Sequence, residues 1–264
     1  MISRRRMQTA LVELGWSIAP FAAVIAAWQA FSFYGELPRY VLPSPLAVAR
    51  ASWELVVSGE LLRHTLESFG RMLLGIAISI PSAVALGVVM AMRKSIAEFL
   101  TPLLTAMNAV SGIAWIPLAM IWFGLGSGTV TFILWNTIFF LVLFNTIVGV
   151  AAVPRVYEQA ILTLGGSKRD VVWSVLLPGA MPNIIAGVRV GIGFGWRALI
   201  AVEMIVSPSG LGYMIFDAAA YQRSEVILVG ILIIGVLWIV IDRIVFLPLE
   251  RWTVYRWGTI TTPA

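Results

Sequence analysis

The side chains able to do chemistry in this chain are few, and most lie inside apolar runs. In one run Asn108, Ser111, Gly112 and Trp115 follow at i, i+3, i+4 and i+7, the spacing of one helical face. In the next, Thr129 and Asn136 share a face and Asn145 lies opposite. Later, Arg189, Trp196 and Glu203 recur every seven residues, while Arg71 and Arg197 place guanidinium groups in apolar surroundings. Amide, hydroxyl and guanidinium groups in such places line a path for a polar solute. They also tie helices together, at about 0.6–2 kcal/mol per hydrogen bond. Asn145 alone reads as a packing contact. For the face carrying Asn108, Ser111 and Trp115, pathway and packing both stand. A guanidinium in such a place needs a carboxylate, carbonyls or water; for Arg197 an anionic solute and a carboxylate on another helix both stand, because Glu203, six residues on, falls on a different face. The candidate pathway set is therefore Asn108, Ser111, Trp115, Asn136, Arg197 and Glu203.

Other chemistries are excluded. There is no cysteine, hence no disulfide, thiol nucleophile or thiolate metal site. The single histidine, His64, rules out an all-histidine metal centre within one chain. No Walker A motif, nucleotide fold or catalytic constellation is present, so the chain is expected to bind no metal or cofactor and to hydrolyse no ATP. Gly187, Gly191 and Gly195 form two overlapping GxxxG units. A phosphate-binding loop needs a strand, a turn and a free helix end, so these glycines read as a helix-packing surface.

The elements that carry these residues are set by composition. Of 264 residues 60% are hydrophobic and 12% charged, about half the roughly 25% charge of a soluble domain. Mean hydropathy is +0.94. The chain is expected to be an all-α, polytopic membrane protein with six transmembrane helices near 14–33, 68–92, 99–123, 130–150, 184–206 and 226–247. It reads as one transmembrane domain spanning residues 1–264. The net charge of +5 then sets orientation rather than nucleic-acid binding. With the N-terminus inside, Arg4, Arg5, Arg6, Arg93, Lys94, Arg155, Lys168, Arg169, Arg243, Arg251 and Arg256 are internal. Arg39, Arg50, Arg63 and Arg223 are external. This excess places both termini in the cytoplasm. The opening run exceeds the roughly 7–15 residues of a signal-peptide core and no clear cleavage site follows, so it reads as an uncleaved anchor.

Two segments do not span. In residues 44–58, Ser44 is a capping residue and Pro45 suits the first helical position. Leu46, Ala49, Trp53, Val56 and Val57 share a face, as in an amphipathic helix lying on the outer membrane surface or meeting an external partner. Residues 151–182 form a cytoplasmic polar island. A first short helix over 157–164 stops at Gly165-Gly166. A second starts at Ser167, which has capping-box spacing to Asp170, and is expected to end before Pro178.

The stretch Gln159-Ala160-Ile161-Leu162-Thr163-Leu164-Gly165, with Leu177-Pro178 beyond, resembles the EAA loop of ABC importer permeases. Leu42-Pro43-Ser44-Pro45, Trp115-Ile116-Pro117-Leu118, Ile121-Trp122-Phe123-Gly124 and Leu177-Pro178-Gly179-Ala180-Met181-Pro182 are similar to the nitrate, sulfonate, taurine and bicarbonate branch. Where the family has Glu-Ala-Ala, this chain has Gln159-Ala160-Ile161, with Glu158 adjacent. The resemblance implies a type I importer permease fold in the bacterial inner membrane. It implies a coupling helix that enters a cleft of an ATPase, built from Glu158, Gln159, Ala160, Leu164, Gly165, Ser167, Asp170, Leu177 and Pro178. It further implies a homodimer, a cytoplasmic ATPase dimer holding ATP and Mg, and a periplasmic or lipid-anchored solute-binding protein. The implied solute is a small oxyanion or organic anion such as a sulfonate, taurine, nitrate, bicarbonate or an aromatic acid. A secondary transporter independent of ATP is the alternative, but the sequence lacks the internal repeat such proteins show. A membrane enzyme is disfavoured by the scarcity of histidine and cysteine.

Overall fold

A computed structural model describes residues 23–33, 38 and 40–249. The regular elements among them are helices: α1 (Ala23–Phe33), α2 (Pro45–Val57), α3 (Glu60–Met92), α4 (Lys94–Ala109), α5 (Gly112–Phe123), α6 (Ser127–Ala151), α7 (Arg155–Thr163), α8 (Lys168–Val206), α9 (Leu211–Ala220) and α10 (Ser224–Leu249). Of these, α3, α6, α8 and α10 are each long and apolar enough to cross a membrane. They contain the expected spans 68–92, 130–150, 184–206 and 226–247. The first expected span is described only as α1; its remainder, with Arg4, Arg5, Arg6, Arg39, Arg251 and Arg256, lies outside the described residues.

The expected continuous span 99–123 is instead broken into α4 and α5, which meet at 88°. Val110 (φ −85°, ψ 120°) and Ser111 (φ −55°, ψ 135°) are extended. A β-branched residue followed by serine and glycine is a weak helix former, and apolarity alone does not reveal this. Non-helical backbone at membrane depth is tolerated where it is buried in protein or lines a cavity. A second expectation also fails. The helix opened by Ser167 does not end before Pro178 but runs on through α8. Residues Val172–Leu176 form a π turn, and the Leu177 N–H reaches back five residues to the Val172 carbonyl. The widened turn re-registers the ladder just where Pro178 lacks a donor, so the chain stays helical.

The chain divides into two compact units, Met1–Leu61 with Met214–Leu232 and Leu62–Tyr213 with Ile233–Ala264. In the first, Ser44 caps α2 by accepting from the Ala47 N–H at 3.3 Å, and Pro45 opens the helix. Val48, Ala51 and Leu55 of α2 are buried, while Leu46, Trp53, Val56 and Val57 are exposed. The Trp28 indole donates to the Pro43 carbonyl at 3.0 Å, and the Ser224 hydroxyl to the Tyr40 carbonyl.

The second unit is built on α6 and α8. Val130, Ile133, Leu134, Ile138, Val142 and Leu143 of α6 are fully buried, as are Leu199 and Val202 of α8. Gly187, Gly191 and Gly195 lie against α6. A Cβ at Gly187 would stand 2.5 Å from that of Asn145, and one at Gly195 would stand 2.8 Å from Ile138 Cγ1. Only glycine permits that approach.

Candidate functional site

The break between α4 and α5 opens one side of a cavity of about 430 Å³ within the second unit. Asn108 comes from the last turn of α4. Val110, Ser111, Gly112 and Ile113 come from the break and the start of α5. Asn136, Thr137, Phe140 and Leu141 come from α6, and Phe194, Arg197 and Ala198 from α8. The α6 residues sit near the helix midpoint, and those of α8 near the middle of its apolar stretch. Four expected pathway residues, Asn108, Ser111, Asn136 and Arg197, thus share one cavity although they come from three stretches of sequence.

Their states differ. Asn108, Ser111 and Arg197 are exposed. Asn136 is 3% exposed, and its amide nitrogen has no hydrogen-bond partner among the described residues. The Arg197 guanidinium stacks over the Phe194 ring at 5.3 Å. It makes no ion pair among the described residues, and no carboxylate lines the cavity. Thr137 donates within α6 to the Ile133 carbonyl at 2.8 Å.

The other two expected pathway residues lie elsewhere. Trp115 shares a face with Asn108 and Ser111 only on a continuous helix. The bend instead places it in a row of rings, 6.5 Å from Trp122 and 6.4 Å from Phe132. Glu203 is fully buried at the centre of a polar knot. Arg71 Nη1 donates to it at 2.7 Å, and the Ser68 hydroxyl lies 2.8 Å and 2.9 Å from its two oxygens. The Gly212 N–H donates to it at 3.1 Å, the Leu211 N–H donates to Ser68 at 2.9 Å, and the Gly210 N–H donates to His64 at 3.0 Å. Arg71 also binds Ser209. Three side chains from α3 and α8 thus occupy the first N–H groups of α9, which have no partners within that helix. Of the rest of the seven-residue stripe, Arg189 makes a two-pronged pair with Asp242, 3.0 Å on each arm. Asn145 bonds the Leu141 carbonyl of its own helix at 2.8 Å, rather than a neighbouring one.

In the polar island, α7 ends in a Schellman turn. The Gly166 N–H reaches the Ile161 carbonyl at 2.9 Å and the Gly165 N–H the Leu162 carbonyl at 3.1 Å. Gly165 has φ +85°, a conformation costing other residues about 1–2 kcal/mol. Ser167 and Asp170 form a reciprocal capping box. Asp170 lies well before the apolar stretch of α8. Hydrogen bonds from the Ser167 hydroxyl and backbone hold its carboxyl below the usual carboxylate range. Gln159, Ala160, Leu164, Gly165, Ser167 and Asp170 are exposed, and Glu158, Leu177 and Pro178 half-buried. Leu164 is 85% exposed, and Tyr157 and Trp173 are exposed beside it in sequence. Exposed apolar side chains on a rigid polar knob mark a contact surface.

The sequence reading missed Thr137, Phe140 and Leu141, because α6 is apolar around its whole circumference and carries no face signal, and it missed Phe194 of α8. Phe194, three residues before Arg197, was the one readable clue.

Residues 83–251 match the family described as binding-protein-dependent transport system inner membrane component. A putative ABC transporter permease of Methanocaldococcus jannaschii is 33% identical over 236 residues, covering 88% of each chain. The taurine transport system permease TauC of Escherichia coli is 30% identical over 226 residues, covering 84% of this chain and 82% of that one. The nitrate import permease NrtB of Synechococcus elongatus is 27% identical over 234 residues, covering 84% and 83%. Among solved structures, a chain of the inward-facing MetNI methionine ABC transporter superposes with a TM-score of 0.51 at 16% identity, over 77% of this chain and 96% of that one. That likeness is one of fold, the type I importer fold. The chain belongs to the binding-protein-dependent transport inner-membrane family and is a permease subunit of an ABC importer.

Proposed function

We propose that this permease passes a small oxyanion or organic anion through the cavity lined by Asn108, Ser111, Asn136 and Arg197. The observation that carries this is electrostatic. The cavity's described lining holds one guanidinium, two amides and two hydroxyls but no carboxylate. An unneutralised cation at membrane depth selects for anions. Relatives named for taurine, sulfonate and nitrate fit that charge. Trp115 and Glu203 take no direct part in solute contact; Glu203 fixes the start of α9.

The segment 151–182 is the surface that engages a separate ATPase, with Leu164 and Tyr157 as its apolar contacts. ATP and Mg belong to that ATPase dimer and not to this chain. The permease works as a homodimer, receives solute from a binding protein outside, and keeps both termini in the cytoplasm. The basic residues of the island support this orientation.

Uptake normalised to inserted protein tests the pathway. Asn108→Leu and Ser111→Leu lower transport more than assembly. Normal transport by both variants would move the pathway off this cavity.

A further inference from the structure

Within the second unit, α7 turns one apolar side chain inward. Every residue of that helix is exposed except Glu158 and Ile161, which are half-buried. Glu158 makes no ion pair among the described residues. Ile161 packs against a buried cluster of Val88 from α3, Val150 from α6, and Val171, Leu176, Ala180 and Ile184 from α8. Val88 and Val150 lie in the last turns of their helices. Val171 precedes the π turn of α8 and Leu176 closes it. The Schellman turn presses on the same residue: a Cβ at Gly166 would stand 2.5 Å from Ile161 Cγ2 and 2.9 Å from its carbonyl oxygen.

A close-packed contact compresses little, so it passes a displacement on. How much is lost depends on the freedom of the side chain. Branching at Cβ leaves isoleucine one strongly preferred χ1 in a helix, so a shift of α7 is not absorbed by a rotamer change. Along the backbone the same shift meets Gly165-Gly166, which yields readily. Resting on the reading of 151–182 as the ATPase surface, we propose that Ile161 is the positioning residue that carries movement of α7 to α3, α6 and α8. Through α6 and α8 the movement reaches the cavity that they line. Leu164 and Tyr157 hold the partner, and Ile161 delivers the partner's change of state.

The chain has no cysteine, so Ile113→Cys places a single reporter on the cavity lining. The full-length permease carrying it is assembled with its ATPase in lipid nanodiscs. Labelling of the permease by the neutral reagent N-ethylmaleimide is timed without nucleotide and with ATP plus vanadate, which arrests the ATPase. The two rates should differ about tenfold, and adding Ile161→Ala should shrink the difference to within about twofold. The ATPase should still copurify with that variant and hydrolyse ATP. Ile161→Val keeps the branch and should keep most of the difference. Ile161→Met, similar in volume but unbranched, should lose about half of it. A full difference in both Ile161→Ala and Ile161→Met overturns the proposal. Loss of the ATPase from either also overturns it, because Ile161 would then belong to the docking surface. Ile161→Met conserves volume, so it decides alone if Ile161→Ala fails to insert. No difference in the Ile113→Cys parent, or an ATPase retained by Leu164→Asp, strikes the coupling surface itself, and the role of Ile161 falls with it.

Discussion

Arg197 and Glu203 sit six residues apart on α8 and do opposite work. Glu203 is fully buried and accepts from Ser68, Arg71 and Gly212; removing it takes away the 2.7 Å partner of Arg71 and leaves only the longer 3.6 Å pair with Glu67. Glu203→Ala and Arg71→Ala should each destabilise the protein by about 3–5 kcal/mol, with the double variant well short of the sum. Thermal unfolding in detergent measures both. Arg197 holds no carboxylate among the described residues, only the Phe194 ring. Arg197→Ala should therefore leave unfolding within about 0.5 kcal/mol of wild type while abolishing uptake. A large drop in stability with uptake per inserted molecule intact would reverse the two roles. From sequence, the need of Arg71 and Arg197 for polar partners within the apolar spans was legible. The choice was not, because a partner 132 residues away along the chain leaves no periodic trace.

At the scale of elements, the helices were readable wherever one physical cause acted alone. Length and apolarity gave α3, α6, α8 and α10, and capping chemistry gave the starts of α2 and α8. The reading erred where two causes competed. Apolarity continues across 99–123 while Val110-Ser111-Gly112 breaks the backbone. Pro178 predicts a stop that the π turn removes. The break at Val110-Ser111-Gly112 is what opens one side of the cavity. Four of its five polar side chains, Asn108, Ser111, Asn136 and Arg197, were foreseen, but no sequence period shows α4, α5, α6 and α8 converging. The α6–α8 contact gives a direct element-scale test. Gly191→Leu drives a branched side chain into Ile138 and Val142, whose atoms already lie 3.3–3.4 Å from the position of a Cβ. It should lower stability by about 1–3 kcal/mol, read as a reduced melting temperature. An unchanged value would mean that α6 and α8 are not held at glycine distance.

For the whole molecule, orientation and energy source decide the account. A cysteine introduced at Ser167 should resist an impermeant thiol reagent in intact spheroplasts, and one at Ser58 should react; the reverse pattern would turn the molecule over. The coupling surface is the central claim, since it separates an ATP-driven permease from a transporter run by an ion gradient. The most direct measurement is uptake of a radiolabelled alkanesulfonate into proteoliposomes. These hold the permease with its ATPase inside and its binding protein outside, with and without Leu164→Asp. Leu164 is 85% exposed, so the substitution leaves the fold intact and places a charge on the apolar contact. Uptake should require both ATP and the binding protein and should fall to background in Leu164→Asp at unchanged protein level. Uptake that persists without ATP, or that Leu164→Asp leaves untouched, would contradict the account.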